Sequence, residues 1–294
     1  MGSSSYSFEN RSFRAASEGY HTKGKDEIFV QNKVRKVHES MDPKGVVIRE
    51  ARDSEAHPNS TPIQLYLDVT GSMGHIPHDM IKDGLPTLMG TLIQSGVPDA
   101  ALLFGAIGDH ECDRHPLQIG QFESGDAELD MWLTRTYLEG GGGGNSGESY
   151  LLAWYFAANH VKTDAFDKRN QKGFVFTIGD EPCLKSLPVN AIKEAMGDAA
   201  QGQSTISREE LLAAAQKQNH VFHIHLNHGG RSCDPAWKQM LGDRLIEISD
   251  YREVSKVISN TILSVLESTP VAVNEKKETV KTESSTAASD EMML

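Results

Sequence analysis

The sequence predicts an α/β protein: a doubly wound, mostly parallel central sheet of about six strands, one of them an antiparallel edge strand, with helices on both faces. Three observations predict it. Strand-like and helix-like runs alternate from residue 61 to residue 267. The runs 63–68, 100–107 and 173–178 are largely apolar on both faces, as covered parallel strands require. The first of these runs leads straight into Asp68-x-Thr70-x-Ser72, at the carboxyl end of a strand, where open α/β sheets bind ligands.

Taken in order, residues 1–30 are rich in Ser, Gly and charge and read as largely disordered. Residues 31–60 carry few aliphatic side chains and read as an irregular arm on the domain edge, with 46–48 as its one short strand. After the strand 63–68, the spacing of Ile81, Leu85, Leu88 and Leu92 predicts a helix over 78–95, kinked or broken at Pro86. Strand 100–107 is followed closely by 116–122. There Leu117 and Ile119 alternate with Gln118 and Gly120, which predicts the antiparallel edge strand. Further strands are predicted at 173–178, 220–226 and 244–248. Further helices are predicted at 126–138, 148–161, 189–197, 207–218, 234–241 and 251–267, the last from Val254, Ile258, Ile262 and Val265. The organisation expected is a polar, partly ordered arm (1–60), an α/β domain (61–267) and a flexible tail (268–294).

Charge narrows the function classes. The 294 residues carry a net charge of −12, and the segment 61–267 holds 16 basic against 27 acidic side chains, or −11. Such a body repels phosphate backbones, so nucleic acid is not an expected partner. It concentrates cations and favours basic partner surfaces. No apolar run approaches the length of a membrane span, so no membrane partner is expected. The start of the chain lacks an apolar signal region, and its partial myristoylation pattern fails at Tyr6. Three widely spaced cysteines, Cys112, Cys183 and Cys233, fit a reducing, cytoplasmic setting better than a disulfide framework.

The chemistry concentrates at strand ends. Asp68, Thr70 and Ser72 present one carboxylate and two hydroxyls within five residues. Hard divalent cations such as Mg²⁺ take oxygen ligands and keep several waters, which this set suits. Asp-Val-Thr-Gly-Ser would also serve as a turn with a helix cap. A second buried run, Phe174 to Ile178, ends in Gly179-Asp180-Glu181. A third loop, 139–150, holds a run of five glycines, then Asn145, Glu148 and Ser149, then a helix.

These motifs resemble the metal-ion-dependent adhesion site (MIDAS) of von Willebrand factor A (vWA) domains, whose pattern is Asp-x-Ser/Thr-x-Ser after the first strand. The resemblance covers about 63–267, and within it 61–74, 104–122, 138–158 and 172–182 look like a subgroup of bacterial and phage vWA proteins. It implies a Mg²⁺ site, with Mn²⁺ or Ca²⁺ as alternatives, held by Asp68, Thr70, Ser72 and Asp180. Where the family usually presents a Thr in the third loop, this chain departs. Asn145 matches by offset, and Glu148 or Ser149 if the alignment shifts. The implied function is a metal-dependent protein-binding module in which an acidic residue of a partner supplies the open coordination position. Two other readings stand beside it. One is a metal-dependent hydrolase using Asp68 and Asp180 with His75 or His110 as base. The other, by family analogy, is an adaptor for a MoxR-type AAA+ ATPase.

Other signals are weaker. Asp109, after strand 100–107, reads as a turn residue or as a group steadying the ligands. Cys112, His115, Cys183, His228 and Cys233 could converge on a zinc ion, but no close Cys-x-x-Cys spacing supports it. His223 and His225 share one face of a strand, as zinc ligands can, but read as buried or satisfied histidines. Gly140–Gly144 lacks the Lys-Ser/Thr of a phosphate loop, and Gly71-Ser72-Met73 lacks a nucleophile elbow.

Overall fold

A computed structural model describes residues 4–97, 99–139, 147–197, 204–228 and 232–268. In chain order the strands are β1 (Arg49–Ala51), β2 (Thr61–Asp68), β3 (Ala100–Ile107), β4 (Leu117–Glu123), β5 (Val161–Thr163), β6 (Gly173–Gly179), β7 (Ser186–Pro188), β8 (Thr205–Ser207), β9 (Asn219–Leu226) and β10 (Leu245–Ile248). The helices are α1 (Phe8–Ser17), α2 (Lys25–Ile28), α3 (Gln31–Val34), α4 (Ile76–Asp79), α5 (Leu85–Gln94), α6 (Asp126–Thr134), α7 (Tyr150–Asn159), α8 (Asp164–Arg169), α9 (Val189–Met196), α10 (Arg208–Gln216), α11 (Pro235–Leu241) and α12 (Val254–Ser268).

The central sheet has six strands in the order β10-β9-β6-β2-β3-β4, all parallel except the antiparallel edge strand β4. Because neighbouring side chains of a strand point to opposite faces, β2 feeds two cores. Ile63, Leu65 and Leu67 pack with Leu88 of α5, Leu129 of α6 and Ile258 of α12 on one face. Tyr66 packs with Leu151 of α7, Ile192 of α9, Leu212 of α10 and Trp237 of α11 on the other. Every residue of β2, β3 and β6 is buried. Register brings three strand ends together: Asp68 lies opposite Ile107 of β3, and Leu67 opposite Ile178 of β6. Asp68, Asp109 and Asp180 therefore leave the sheet at one edge.

Several expectations need correction. Residues 8–17 form a capped helix, with Ser7 Oγ accepting from the Asn10 amide at 3.2 Å. Ala15, Tyr20, Ile28, Phe29 and Met41 are buried in the same core as α5 and α12. The polar composition of 1–60 conceals these few anchors. Arg14 pairs with Asp126 at 2.7 Å, and the Tyr20 hydroxyl donates to Asp130 at 2.8 Å, both carboxylates being on α6. The arm's strand is 49–51 rather than 46–48, and it pairs with β5 outside the central sheet. The helix expected over 78–95 is α4, a π-helical turn (Met80–Gly84) and α5. The break precedes Pro86, which sits in the first turn of α5, where its missing N–H costs nothing. The expected helix 126–138 stops at Thr134. The short elements β5, α8, β7 and β8 carry too few residues to show a period. The expected tail 268–294 lies outside the described residues beyond Ser268. Among the described residues no helix is long and apolar enough to cross a membrane.

Candidate metal centre

Asp68 is the last residue of β2 and is fully buried. Its Oδ1 accepts from the Thr70 amide at 2.9 Å and from Thr70 Oγ1 at 2.6 Å. Thr70 makes no side-chain cap to the helical turn Gly71–Met73 that follows, so the alternative of a simple capping motif is not what forms. Thr70 Oγ1 and Ser72 Oγ lie 3.3 Å apart, and Ser72 Oγ donates to Asp180 Oδ1 at 2.8 Å. Thr70 thus donates to the carboxylate that ends β2 and Ser72 to the one that follows β6, with the two hydroxyls side by side.

The third loop closes the other side. Gly147, at φ +108°, turns the chain in the region that favours glycine, and an added Cβ would meet Leu184 Cδ2 at 2.9 Å. Glu148 then bridges to Cys183 as one isolated parallel pair. Its Oε2 is buried with no hydrogen-bond partner among the described residues, as is Asp109 Oδ2. Ser149 does not join Asp68. Its Oγ accepts from the His110 amide at 2.9 Å and lies 2.8 Å from His110 Nδ1. Asn145 lies outside the described residues. Asp109 is a turn residue, accepting from the Glu111 amide at 2.9 Å, whose second oxygen stays in the buried rim.

Two residues were not singled out by sequence. Tyr150, the first residue of α7, is fully buried and donates from its hydroxyl to Asp68 Oδ2 at 2.9 Å. Gly179 lies beneath that bond. A Cβ there would meet the Tyr150 hydroxyl at 2.0 Å and Asp68 Oδ2 at 2.9 Å. The only sequence signals were a hydroxyl-bearing aromatic opening an otherwise apolar helix and a glycine just before Asp180.

Among the described residues, the charges that act most on Asp68 and Glu148 are acidic. Burial raises the Asp68 carboxyl to about 7, against the donors of Thr70 and Tyr150, and the charge of Asp180 adds to the rise. Burial, with the charges of Asp68, Asp109, Asp113 and Glu181, raises Glu148 to about 9. Oxygen-only groups in this state suit a hard cation, which takes carboxylate, hydroxyl and water ligands together. The buried Glu148 Oε2 and Asp109 Oδ2 offer acceptors that such an ion or its waters would satisfy.

The remaining candidates are dispersed. His75 lies 3.7 Å from Asp79 and edge-on to Tyr251 and His228, while His110 is engaged with Ser149. Cys112 is exposed, Cys183 buried, and Cys233 donates to the Asp234 carbonyl. Among the described residues no three His, Cys, Asp or Glu side chains form a ready metal cluster, so the zinc set of Cys112, His115, Cys183, His228 and Cys233 is not assembled. His223 stacks on Trp237 at 3.7 Å and lies 2.9 Å from Thr177 Oγ1 through Nδ1. Both histidines are buried, as expected, with His223 Nε2 and both ring nitrogens of His225 unpartnered among the described residues.

No family model matches the sequence, and no curated protein does. Solved structures with a similar fold include the pilus adhesin SpaC from Lactobacillus rhamnosus GG in its open conformation, at 9% identity, 74% coverage of this chain, 31% of that chain and a TM-score of 0.47. They include proximal thread matrix protein 1 from the mussel byssus with a zinc-occupied MIDAS motif, at 10% identity, 73% and 48% coverage and a TM-score of 0.44. A von Willebrand factor type A protein from Catenulispora acidiphila follows at 13% identity, 69% and 42% coverage and a TM-score of 0.39. The chain spans less than half the length of each of these three.

Proposed function

We propose that this chain is a divalent-metal-dependent protein-binding module of the MIDAS type. Asp68, Thr70, Ser72 and Asp180 hold the ion directly or through water, and Glu148 supplies the third loop's oxygen in place of the family's usual threonine. Mg²⁺ is the expected ion, with Mn²⁺ and Ca²⁺ as alternatives for an oxygen-only set. A carboxylate of a protein partner completes the coordination.

The observation that carries this reading is the pair Asp68–Thr70 and Asp180–Ser72, side by side, with Glu148 beside it raised to about 9 by burial and then by its acidic neighbours. Buried like charges are costly unless a cation or proton neutralises them. A bound cation offsets these acidic charges, and it also reverses the local field, so an acidic partner group is attracted where the bare site repels it.

Calorimetric titration with Mg²⁺ tests the site, with Asp68→Ala as the control. Saturable binding in the wild type and none in the variant is the expected result. Mg²⁺ binding that survives Asp68→Ala overturns the assignment.

A further inference from the structure

Two buried histidines of β9 have no part in the oxygen centre. His223 and His225 are two positions apart on a strand, so their side chains share one face of the sheet. There the His223 ring stacks on Trp237 of α11 at 3.7 Å and meets Tyr150 of α7 edge-on at 5.1 Å. Neither histidine is more than 1% exposed. Among the described residues, Nε2 of His223 and both ring nitrogens of His225 have no hydrogen-bond partner. Buried polar atoms are nearly always paired, so three such atoms on neighbouring rings call for a partner of another kind.

The hydrogen bonds decide which nitrogen is offered. Thr177 Oγ1 donates to the Phe222 carbonyl at 3.4 Å and lies 2.9 Å from His223 Nδ1. Its one proton is thereby used, so the hydroxyl accepts from Nδ1–H and Nε2 keeps a bare lone pair. Metal-ligating imidazoles have this arrangement, the second nitrogen donating to an oxygen that fixes the ring. Burial lowers both imidazoles below the ordinary histidine range and keeps them neutral, the form that ligates. The two ring centres are 5.9 Å apart. A zinc–nitrogen bond of about 2.1 Å puts the ion about 3.2 Å from the centre of each ligating ring, so two rings up to about 6.4 Å apart can share one ion. A tetrahedral angle brings them to about 5.2 Å, a closure of less than about 1 Å from the arrangement seen. Among the described residues no three His, Cys, Asp or Glu side chains are already assembled, so the other positions fall to water and to Glu247. Glu247 is exposed and stands opposite His225 in the register of β10 on β9.

We propose that His223 and His225 form a second metal site, one that takes Zn²⁺ or a divalent ion of the same borderline class. Imidazole nitrogens suit such ions, whereas Mg²⁺ prefers oxygen. His225 lies opposite Gly179 in register, so the two sites are neighbours at one edge of the sheet. They use different residues, and the histidine site does not depend on what Asp68, Thr70, Ser72, Asp180 and Glu148 hold.

The test is calorimetric titration of the full chain, without a histidine tag, with Zn²⁺. The proteins are Asp68→Ala, Asp68→Ala/His225→Gln and Asp68→Ala/Thr177→Val, each checked by thermal melting. Asp68→Ala disables the oxygen centre, so the Zn²⁺ it takes up reports the histidine pair. It is expected to bind one Zn²⁺. Adding His225→Gln is expected to weaken that binding at least about tenfold, and Thr177→Val, which removes the acceptor of Nδ1–H, by about tenfold. X-ray absorption at the zinc edge of the loaded Asp68→Ala protein reads the ligands without a histidine substitution, and two imidazoles are expected. No Zn²⁺ uptake by Asp68→Ala, uptake unchanged by His225→Gln, or sulfur in place of imidazole around the ion overturns the site.

Discussion

Tyr150 and Asp68 are joined by a 2.9 Å hydrogen bond that runs from the first turn of α7 to the end of β2, and both residues are fully buried. The phenol holds one carboxylate oxygen while Thr70 holds the other. This fixes the carboxylate's plane before any ion arrives. It also favours the ionised form against the burial that opposes it. Tyr150→Phe removes the donor and leaves a buried acceptor short of a partner. The expected cost is about 1–2 kcal/mol in stability and about tenfold in Mg²⁺ affinity. Urea denaturation and calorimetry measure the two. Undiminished Mg²⁺ affinity would show that the phenol has no part in the site.

Gly179 makes that bond geometrically allowed. A methyl group there would stand 2.0 Å from the Tyr150 hydroxyl and 2.9 Å from Asp68 Cβ. Neither neighbour yields easily, because one opens a packed helix and the other ends the central strand. Gly179→Ala should therefore destabilise the fold by about 1–3 kcal/mol and abolish Mg²⁺ binding. A variant that melts like wild type and titrates normally would refute the packing argument.

Sequence made some of this visible and hid the rest for physical reasons. Asp68, Thr70 and Ser72 could be read because a strand buried on both faces is a long apolar run whose end is sharp. Asp180 followed because β6 has the same character. Tyr150 could not be paired with Asp68, since the two are 82 positions apart and nothing local links a phenol to a distant carboxylate. The third loop stayed open because Asn145, Glu148 and Ser149 are all oxygen-bearing residues. Only burial and bonding separate Glu148 from Ser149, which turns to His110 instead. The arm was misjudged for the opposite reason. Tyr20, Ile28, Phe29 and Met41 are core residues too widely spaced in a polar stretch to form any period.

The two raised carboxyls fix how metal binding responds to pH. Asp68 at about 7 and Glu148 at about 9 lie above the ordinary carboxyl range near 4. Without a cation the native state keeps protons that the unfolded chain releases. That contribution to stability is present at low pH and is lost as pH rises through about 7 and then about 9. Mg²⁺ replaces those protons, so its affinity rises with pH over the same window. Thermal melts with and without Mg²⁺ should nearly coincide below the lower value and separate progressively above it. An Mg²⁺-induced shift that is constant with pH would contradict the assignment of both residues.

His220 should act on acid stability with the opposite sign. It packs on Phe174 at 5.3 Å, and burial with nearby Arg244 and Lys172 lowers it to about 4. The unfolded histidine titrates near 6.5. Between these values the unfolded state binds a proton the native state refuses, so stability falls as pH drops through that window. With allowance for partial solvent contact, the loss assigned to His220 is about 1–2 kcal/mol. His220→Gln should flatten the stability profile from pH 6.5 to about 4 relative to wild type. Parallel profiles for the two proteins would exclude His220 as a source.

The arm offers a test in which one pair of substitutions loses its effect. Asp126 and Asp130 of α6 are buried, and their partners come from the arm: Arg14 and the Ser7 amide for Asp126, Tyr20 and Arg11 for Asp130. Removing the chain before Thr22 takes away all four partners and uncovers the apolar surface around Tyr6 and Ala15. The expected loss is several kcal/mol, from the lost burial of the arm's apolar side chains and its lost charge-assisted bonds. In the intact chain, Asp126→Asn with Asp130→Asn weakens the charge-assisted bonds and should destabilise. In the shortened chain both carboxylates are open to water with no arm partner, so the same pair of substitutions should change stability little. Chemical denaturation of the four proteins gives the coupling directly. If the pair destabilises both chains equally, the arm does not neutralise α6, and its ordering has another cause.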